Sequence, residues 1–226
     1  MRHFRGDSTL LPTTMSILNV AIIGVGLVGS ELISQIAQPQ LASKFRLVYV
    51  SNSKRALQGN DILLASWKEA LEASSQSPAL DTLPEFLRRQ AQSSGHPVVL
   101  VDNTSSDLVA ARYPQFLDAG IHVVTPNKKA YSSDLALYDQ IAASSAATGA
   151  KFLNEATVGA GLPIISTLKD LVATGDKVRR FRGTIMYVTH NCCSRSSRSK
   201  GSCPEPSVIS STNIRRQRAA ISHFRP

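Results

Sequence analysis

Three glycines stand at G-x-G-x-x-G spacing in Gly24-Val25-Gly26-Leu27-Val28-Gly29. The chemistry suited to that spacing is capture of a pyrophosphate by backbone amides. The first glycine permits a tight turn, the second lets the main chain approach the phosphates, and the third lets a helix pack closely on a strand. Free N–H groups at the start of the helix then face the negative charge. A coincidental glycine turn is the competing reading, and the flanking elements decide against it. Some 20 residues further on, sites specific for NAD usually hold an acid that accepts from the ribose 2′-hydroxyl. Here Ser51-Asn52-Ser53-Lys54-Arg55 supplies hydroxyls, an amide and two cations instead. Ser51, Lys54 and Arg55 suit a dianionic 2′-phosphate. The cofactor expected is NADP, with NAD left open and a solvated turn with ordinary charges as the alternative.

Three more polar segments follow apolar runs: Val101-Asp102-Asn103-Thr104-Ser105-Ser106, Thr125-Pro126-Asn127-Lys128-Lys129-Ala130, and Asn154 to Pro163 (NEATVGAGLP). Each alone could be ordinary loop chemistry. Placed at the C-terminal ends of parallel strands, they would ring a ligand crevice.

The elements needed to place them there are legible. Leu18 to Ile23 is a short apolar, β-branched run of the buried-strand type. Ser30 to Ala37 carries Leu32, Ile33 and Ile36 at helical spacing, and Phe45 to Val50 is a second strand. Together these make one βαβ unit around the glycine turn. Helices are expected at Ser66 to Ser74, Asp81 to Gln92, Asp107 to Ala119 and Asp134 to Thr148, with strands at Pro97 to Val101 and Ile121 to Val124. The alternation predicts an α/β fold, a Rossmann-like doubly wound parallel sheet, over residues 17–150. From Lys151 the pattern changes. Lys151 to Leu153 reads as a strand, Glu155 to Pro163 as a glycine-punctuated turn, Ile164 to Thr174 as a helix, and Val178 to Ile185 as the start of another strand.

In this order, the VDNTSS, TPNKKA and EATVGAGLPII strings resemble homoserine dehydrogenase, the fungal type without a fused aspartokinase, over about residues 18–185. The resemblance implies an oxidoreductase that interconverts L-homoserine and L-aspartate 4-semialdehyde with NAD(P), in methionine, threonine and isoleucine biosynthesis. It makes Val25, Gly26, Leu27 and Val28 the pyrophosphate turn and sets Asn103, Thr104 and Ser105 beside the nicotinamide ribose. It places Lys128 at the junction of cofactor and substrate, where a cation can attract a carboxylate or polarise the reacting oxygen; the alternative is a surface lysine. It also implies a monovalent cation, usually sodium, on the backbone carbonyls of Glu155, Val158, Ala160 and Leu162, oxygen ligands of the kind hard cations take.

Residues 151–185 would then be the start of an α+β dimerisation and substrate domain. The family's acidic substrate ligands and its proton-transferring lysine have no counterpart after Ile185. The expectation is a dehydrogenase cut short near residue 186 and poorly active, a homodimer in the family but doubtfully one here. The alternative is a dinucleotide-binding module without turnover. Apolar positions Leu162, Ile164, Ile165, Leu168 and Leu171 are expected to lack a covering layer.

Charge supports a boundary there. The chain has 226 residues and a net charge of +9, yet residues 177–226 hold eleven bases against one acid, Glu205, and the rest is near neutral. A basic pI would ordinarily suggest nucleic acid. Concentrated beyond Asp176, and running on into a Ser/Arg-rich segment, 186–226, with no apolar period, it reads instead as the mark of a disordered or spurious tail. RNA binding through that tail is a rival reading that the composition does not favour. Cys192, Cys193 and Cys203, even with His190, lack zinc-ligand spacing. Residues 1–16 read as a disordered extension without a secretory h-region; Met15 is an alternative start, and a mitochondrial presequence is left open. With no apolar run of about 20 residues, a cytoplasmic protein without membrane association is expected.

Overall fold

The computed structural model describes residues 17–132 and 135–177. Its opening unit is β1 (Leu18–Ile23), α1 (Leu27–Ile36), the single turn α2 (Pro39–Ala42) and β2 (Phe45–Ser51). A hairpin leads from β2 into β3 (Ala56–Gln58), followed by α3 (Trp67–Ala73) and α4 (Leu83–Ser94). Next come β4 (Val98–Asp102), α5 (Asp107–Ala110), α6 (Tyr113–Asp118), β5 (His122–Val124), α7 (Lys129–Ser132) and α8 (Leu135–Thr148). The final elements are β6 (Phe152–Leu153), a 3-10 turn at Glu155–Thr157 and α9 (Ile164–Ala173).

The six strands lie in the order β3-β2-β1-β4-β5-β6. The chain therefore reverses direction across the sheet between β1 and β4, and a crevice opens there above the C-terminal strand ends. All neighbours are parallel except β2 and β3, which pair antiparallel. Both faces of the sheet are covered, which is why β1 reads as a continuous apolar run rather than an alternation. Val20 and Ile22 pack with Ile33 of α1 and Leu71 of α3 on one face. Ala21 and Ile23 pack with Leu83 and Leu87 of α4, Phe116 and Leu117 of α6, and Ile141 of α8 on the other. Each fully buried aliphatic side chain among these contributes about 1.5–3 kcal/mol.

The β1–β2 register slips at one point: Val20 lies opposite Leu47, but Ala21 lies opposite Tyr49. The extra residue, Val48, forms a bulge and re-aims the end of β2. Val48 and Tyr49 consequently share one core face while Leu47 and Val50 share the other.

Three local expectations need correction. The sheet carries an antiparallel edge strand, β3, whose three residues are too short to show a period. The single helix expected at Asp107 to Ala119 is two, because Pro114 has no N–H to continue the α5 ladder. β2 runs one residue further than expected, to Ser51. Residues 1–16, Val178 to Ile185 and the tail at 186–226, for which expectations are given above, lie outside the described residues.

Candidate functional site

The glycine turn sits where β1 ends at the crevice. The carbonyl of Ser51, at the end of β2, accepts from the amides of Gly24 at 2.8 Å and Val25 at 3.2 Å, so the turn is clamped to the neighbouring strand. Gly24 has φ +90, a conformation that side-chain-bearing residues rarely adopt. A Cβ on Gly29 would stand 2.3 Å from the Gly24 carbonyl oxygen, so α1 packs on the turn only because that position is bare.

Gly26 differs from both. Its φ is −73, and a Cβ there would meet nothing within 4 Å. Neither backbone conformation nor protein packing calls for glycine at this position. The absent side chain instead leaves open the approach to the first turn of α1, whose leading amides have no intrahelical acceptors. Leu27 and Val28, in that turn, are 72% and 64% exposed. They contribute little to the core and face outward at the mouth of the crevice.

Ser51 is fully buried, and the chain continues beyond it into the hairpin loop. The Asn52 Oδ1 accepts from the amides of Lys54 at 2.8 Å and Arg55 at 2.7 Å. Asn52 N–H donates to the Arg55 carbonyl at 3.0 Å. This Asx-type turn fixes the backbone while Lys54 and Arg55 remain exposed to solvent.

The loop after β4 meets the glycine turn directly. Asn103 N–H donates to the Ile23 carbonyl at 2.8 Å. The Thr104 methyl lies 2.7 Å from where a Gly24 Cβ would be. The Asn103 side-chain amide nitrogen is buried with no hydrogen-bond partner, beside Gly29. A buried donor left unpaired costs about 1–3 kcal/mol, which suits a site completed by a ligand oxygen. Ser105 is exposed at the tip of the loop.

A group that the sequence reading passed over lies beneath this loop. Val98, Leu100 and Asp102 alternate on the buried face of β4, and the last of them is a fully buried carboxylate. Asp102 accepts from the Thr104 amide at 2.8 Å, the Tyr113 hydroxyl at 2.5 Å and the Asn127 side-chain amide at 3.1 Å. Burial, reinforced by the Asp102 charge, pushes the Tyr113 phenol well above its ordinary range, so it stays a donor. The period-2 pattern held the signal: an acid follows Val98 and Leu100 in register, and Thr125 and Asn127 continue the buried row of Ile121 and Val123.

Lys128 follows Asn127 and is half-buried. Its neighbour Lys129 is paired with Asp107 at 3.1 Å. Glu155, Val158, Ala160 and Leu162 lie between β6 and α9, three strands from β1, which is roughly 14 Å at ordinary strand spacing. The structure therefore gathers the glycine turn, the 51–55 hairpin and the 103–105 loop around one crevice. Lys128 is joined to them through Asn127 and Asp102, and the 155–162 loop stands apart at the sheet edge.

Residues 24–155 match the family model described as homoserine dehydrogenase, NAD binding domain. This chain belongs to the homoserine dehydrogenase family. The homoserine dehydrogenase of Schizosaccharomyces pombe is 40% identical over 184 residues, covering 76% of this chain and 48% of that protein. The Saccharomyces cerevisiae enzyme is 40% identical over 181 residues, covering 76% and 49%. The chain thus spans about half the length of the curated relatives it matches. Among solved structures, a Candida auris protein of unknown function superposes with TM-score 0.64 at 44% identity, covering 72% of this chain and 45% of that one. The Thermoplasma acidophilum homoserine dehydrogenase shares the fold, with TM-score 0.52 at 23% identity over 66% of this chain and 46% of that one.

Among the described residues no helix is long and apolar enough to cross a membrane, and no cluster of three His, Cys, Asp or Glu side chains could hold a metal ion.

Proposed function

We propose that this chain binds NADP(H) on its glycine turn and serves the oxidoreduction of L-homoserine and L-aspartate 4-semialdehyde. The observation that carries the cofactor assignment is Gly26, bare although the protein itself requires nothing smaller than alanine there. The first-turn amides of α1 would hold the pyrophosphate, Lys54 and Arg55 the 2′-phosphate, and Asn103, Thr104 and Ser105 the nicotinamide ribose. The bound nicotinamide supplies hydride acceptance and donation. Lys128 would attract the substrate carboxylate or polarise the reacting oxygen.

A monovalent cation on the carbonyls of Glu155, Val158, Ala160 and Leu162 belongs to the same proposal, with a structural role. Two features support it. Gly159 and Ala160 are successive left-handed residues, at φ 71 and 51, which curl the main chain into a tight turn. The Glu155 carboxylate is taken up by the amides of Ile165 at 2.8 Å and Ser166 at 2.9 Å, so of its oxygens the main-chain one, which accepts a single long bond from the Val158 amide at 3.4 Å, is the one to offer.

The second reading, cofactor binding without turnover, is favoured by α9, which buries none of its residues; Leu162 and Leu171 are exposed. The layer that would complete a substrate site against α9 is not among the described residues. A paired assay on the purified chain separates the readings: NADPH fluorescence titration, and homoserine-dependent reduction of NADP. Binding with turnover supports the dehydrogenase reading and binding alone supports the second. Absence of binding to NADPH and NADH sinks both.

A further inference from the structure

The Asp102 carboxylate is built into two ligand-facing loops at once. On the cofactor side its Oδ1 takes the Thr104 amide, closing the turn that carries Asn103, Thr104 and Ser105. On the other side its Oδ2 takes the Asn127 side-chain amide, and its main-chain carbonyl accepts from the Thr125 hydroxyl at 3.0 Å. Asn127 is committed in full: its second amide hydrogen goes to the Ser106 carbonyl at 3.0 Å, its own N–H to Thr125 Oγ1 at 2.8 Å, and its Oδ1 receives the Lys129 amide at 3.1 Å. Both loop backbones on either side of Lys128 are therefore fixed from below. Tyr113, on α6, completes the set from the helical layer, with its hydroxyl also 3.0 Å from Thr125 Oγ1. Asp102, Tyr113, Thr125 and Asn127 are all at most 2% exposed. A buried network with every member satisfied has one arrangement, and losing any member leaves a costly orphan.

We propose that Asp102, held by Tyr113 and Asn127, is a positioning residue that fixes the 103–106 loop relative to the 125–129 loop, so that the nicotinamide end of the cofactor and Lys128 are presented to one another. The carboxylate touches neither ligand; it acts through the two loops. The inference rests on the dinucleotide reading above. It adds that strand-end geometry between β4 and β5, and not only the glycine turn, sets cofactor affinity.

Tyr113→Phe removes one hydroxyl with no change of shape. Asp102→Asn keeps the shape but replaces one acceptor with a donor that must face other donors. Ser145→Ala serves as a stability control, because it removes a 2.7 Å bond to the Ala150 carbonyl at the far end of α8. NADPH dissociation constants are measured by fluorescence titration on the full chain, at a temperature where unfolding curves show each variant folded. Tyr113→Phe is expected to weaken NADPH at least about fivefold, the scale of one buried hydrogen bond, and Asp102→Asn to weaken it further. Ser145→Ala should bind as the unsubstituted chain does despite a lowered Tm. If Asp102→Asn does not fold, Tyr113→Phe decides alone. Unchanged affinity in Tyr113→Phe overturns the positioning role while leaving the dinucleotide reading intact. An equal loss in Ser145→Ala overturns it too, since affinity would then follow stability. If the unsubstituted chain binds no dinucleotide, that reading fails separately and takes this one with it.

Discussion

The three glycines of the turn are bare for different reasons, and alanine at each should separate those reasons. At Gly29 a helix-interior alanine would ordinarily gain about 0.5–1 kcal/mol over glycine. Here its Cβ falls 2.3 Å from the Gly24 carbonyl oxygen, a backbone atom that cannot swing aside as a flexible side chain would. Overpacking of this kind costs about 1–3 kcal/mol or more, so the clash outweighs the propensity gain. At roughly 2–4 °C per kcal/mol for a chain of this size, Gly29→Ala should lower Tm by a few degrees. At Gly26 the same methyl meets nothing within 4 Å, and stability should move by no more than about 0.5 kcal/mol. Dinucleotide affinity should nonetheless fall at least about tenfold, because on the proposed reading the methyl would stand in the path of the pyrophosphate. Thermal unfolding and NADPH titration on both variants make the measurement. Gly26→Ala with unchanged affinity would refute the cofactor assignment; Gly29→Ala at the unsubstituted Tm would refute the packing argument.

Replacing Lys54 and Arg55 together with alanine should weaken NADPH about tenfold to a hundredfold, the worth of charge-assisted bonds to a phosphate, while leaving NADH affinity nearly unchanged; equal losses would mean that the hairpin does not read the 2′-phosphate. His122 Nδ1 accepts the Lys151 amide at 2.9 Å, and burial, then the Lys151 charge, lower its pKa below 6.5. Its contribution to stability is therefore complete above pH 6.5 and is lost as pH falls through the depressed value. Denaturant melts at pH 7.5 and 5.5 should show a smaller difference for His122→Asn than for the unsubstituted chain, and an equal difference would remove His122 as the cause. Lys128→Met should abolish whatever homoserine-dependent reduction of NADP the chain shows, and retained turnover would remove Lys128 from the reacting site.

Much of the fold was legible because its signals are local. A β-branched run, three glycines and an apolar helical stripe within 20 residues announced β1, the turn and α1. The VDNTSS, TPNKKA and NEATVGAGLP segments likewise fell at the C-terminal ends of strands β4, β5 and β6 or just after them. The errors came where a local pattern was too short or was interrupted. β3 offers three residues and no period, and Pro114 splits what apolar spacing alone joined into one helix.

Asp102 illustrates the other kind of miss. Beside Asn103 and Thr104 it looks like loop chemistry, yet it lies on the inner face of β4 with Val98 and Leu100. Its side-chain partners, Tyr113 and Asn127, are 11 and 25 residues away. By itself the sequence determined the dinucleotide turn and the family strings, since glycine spacing and the polar residues after each strand are properties of neighbours along the chain. The tertiary structure alone decided that β4 lies between β1 and β5, and hence which carboxylate ties the two loops together. Hydrogen bonds are short and directional, so their partners are set by which strands lie side by side in the sheet rather than by spacing along the chain.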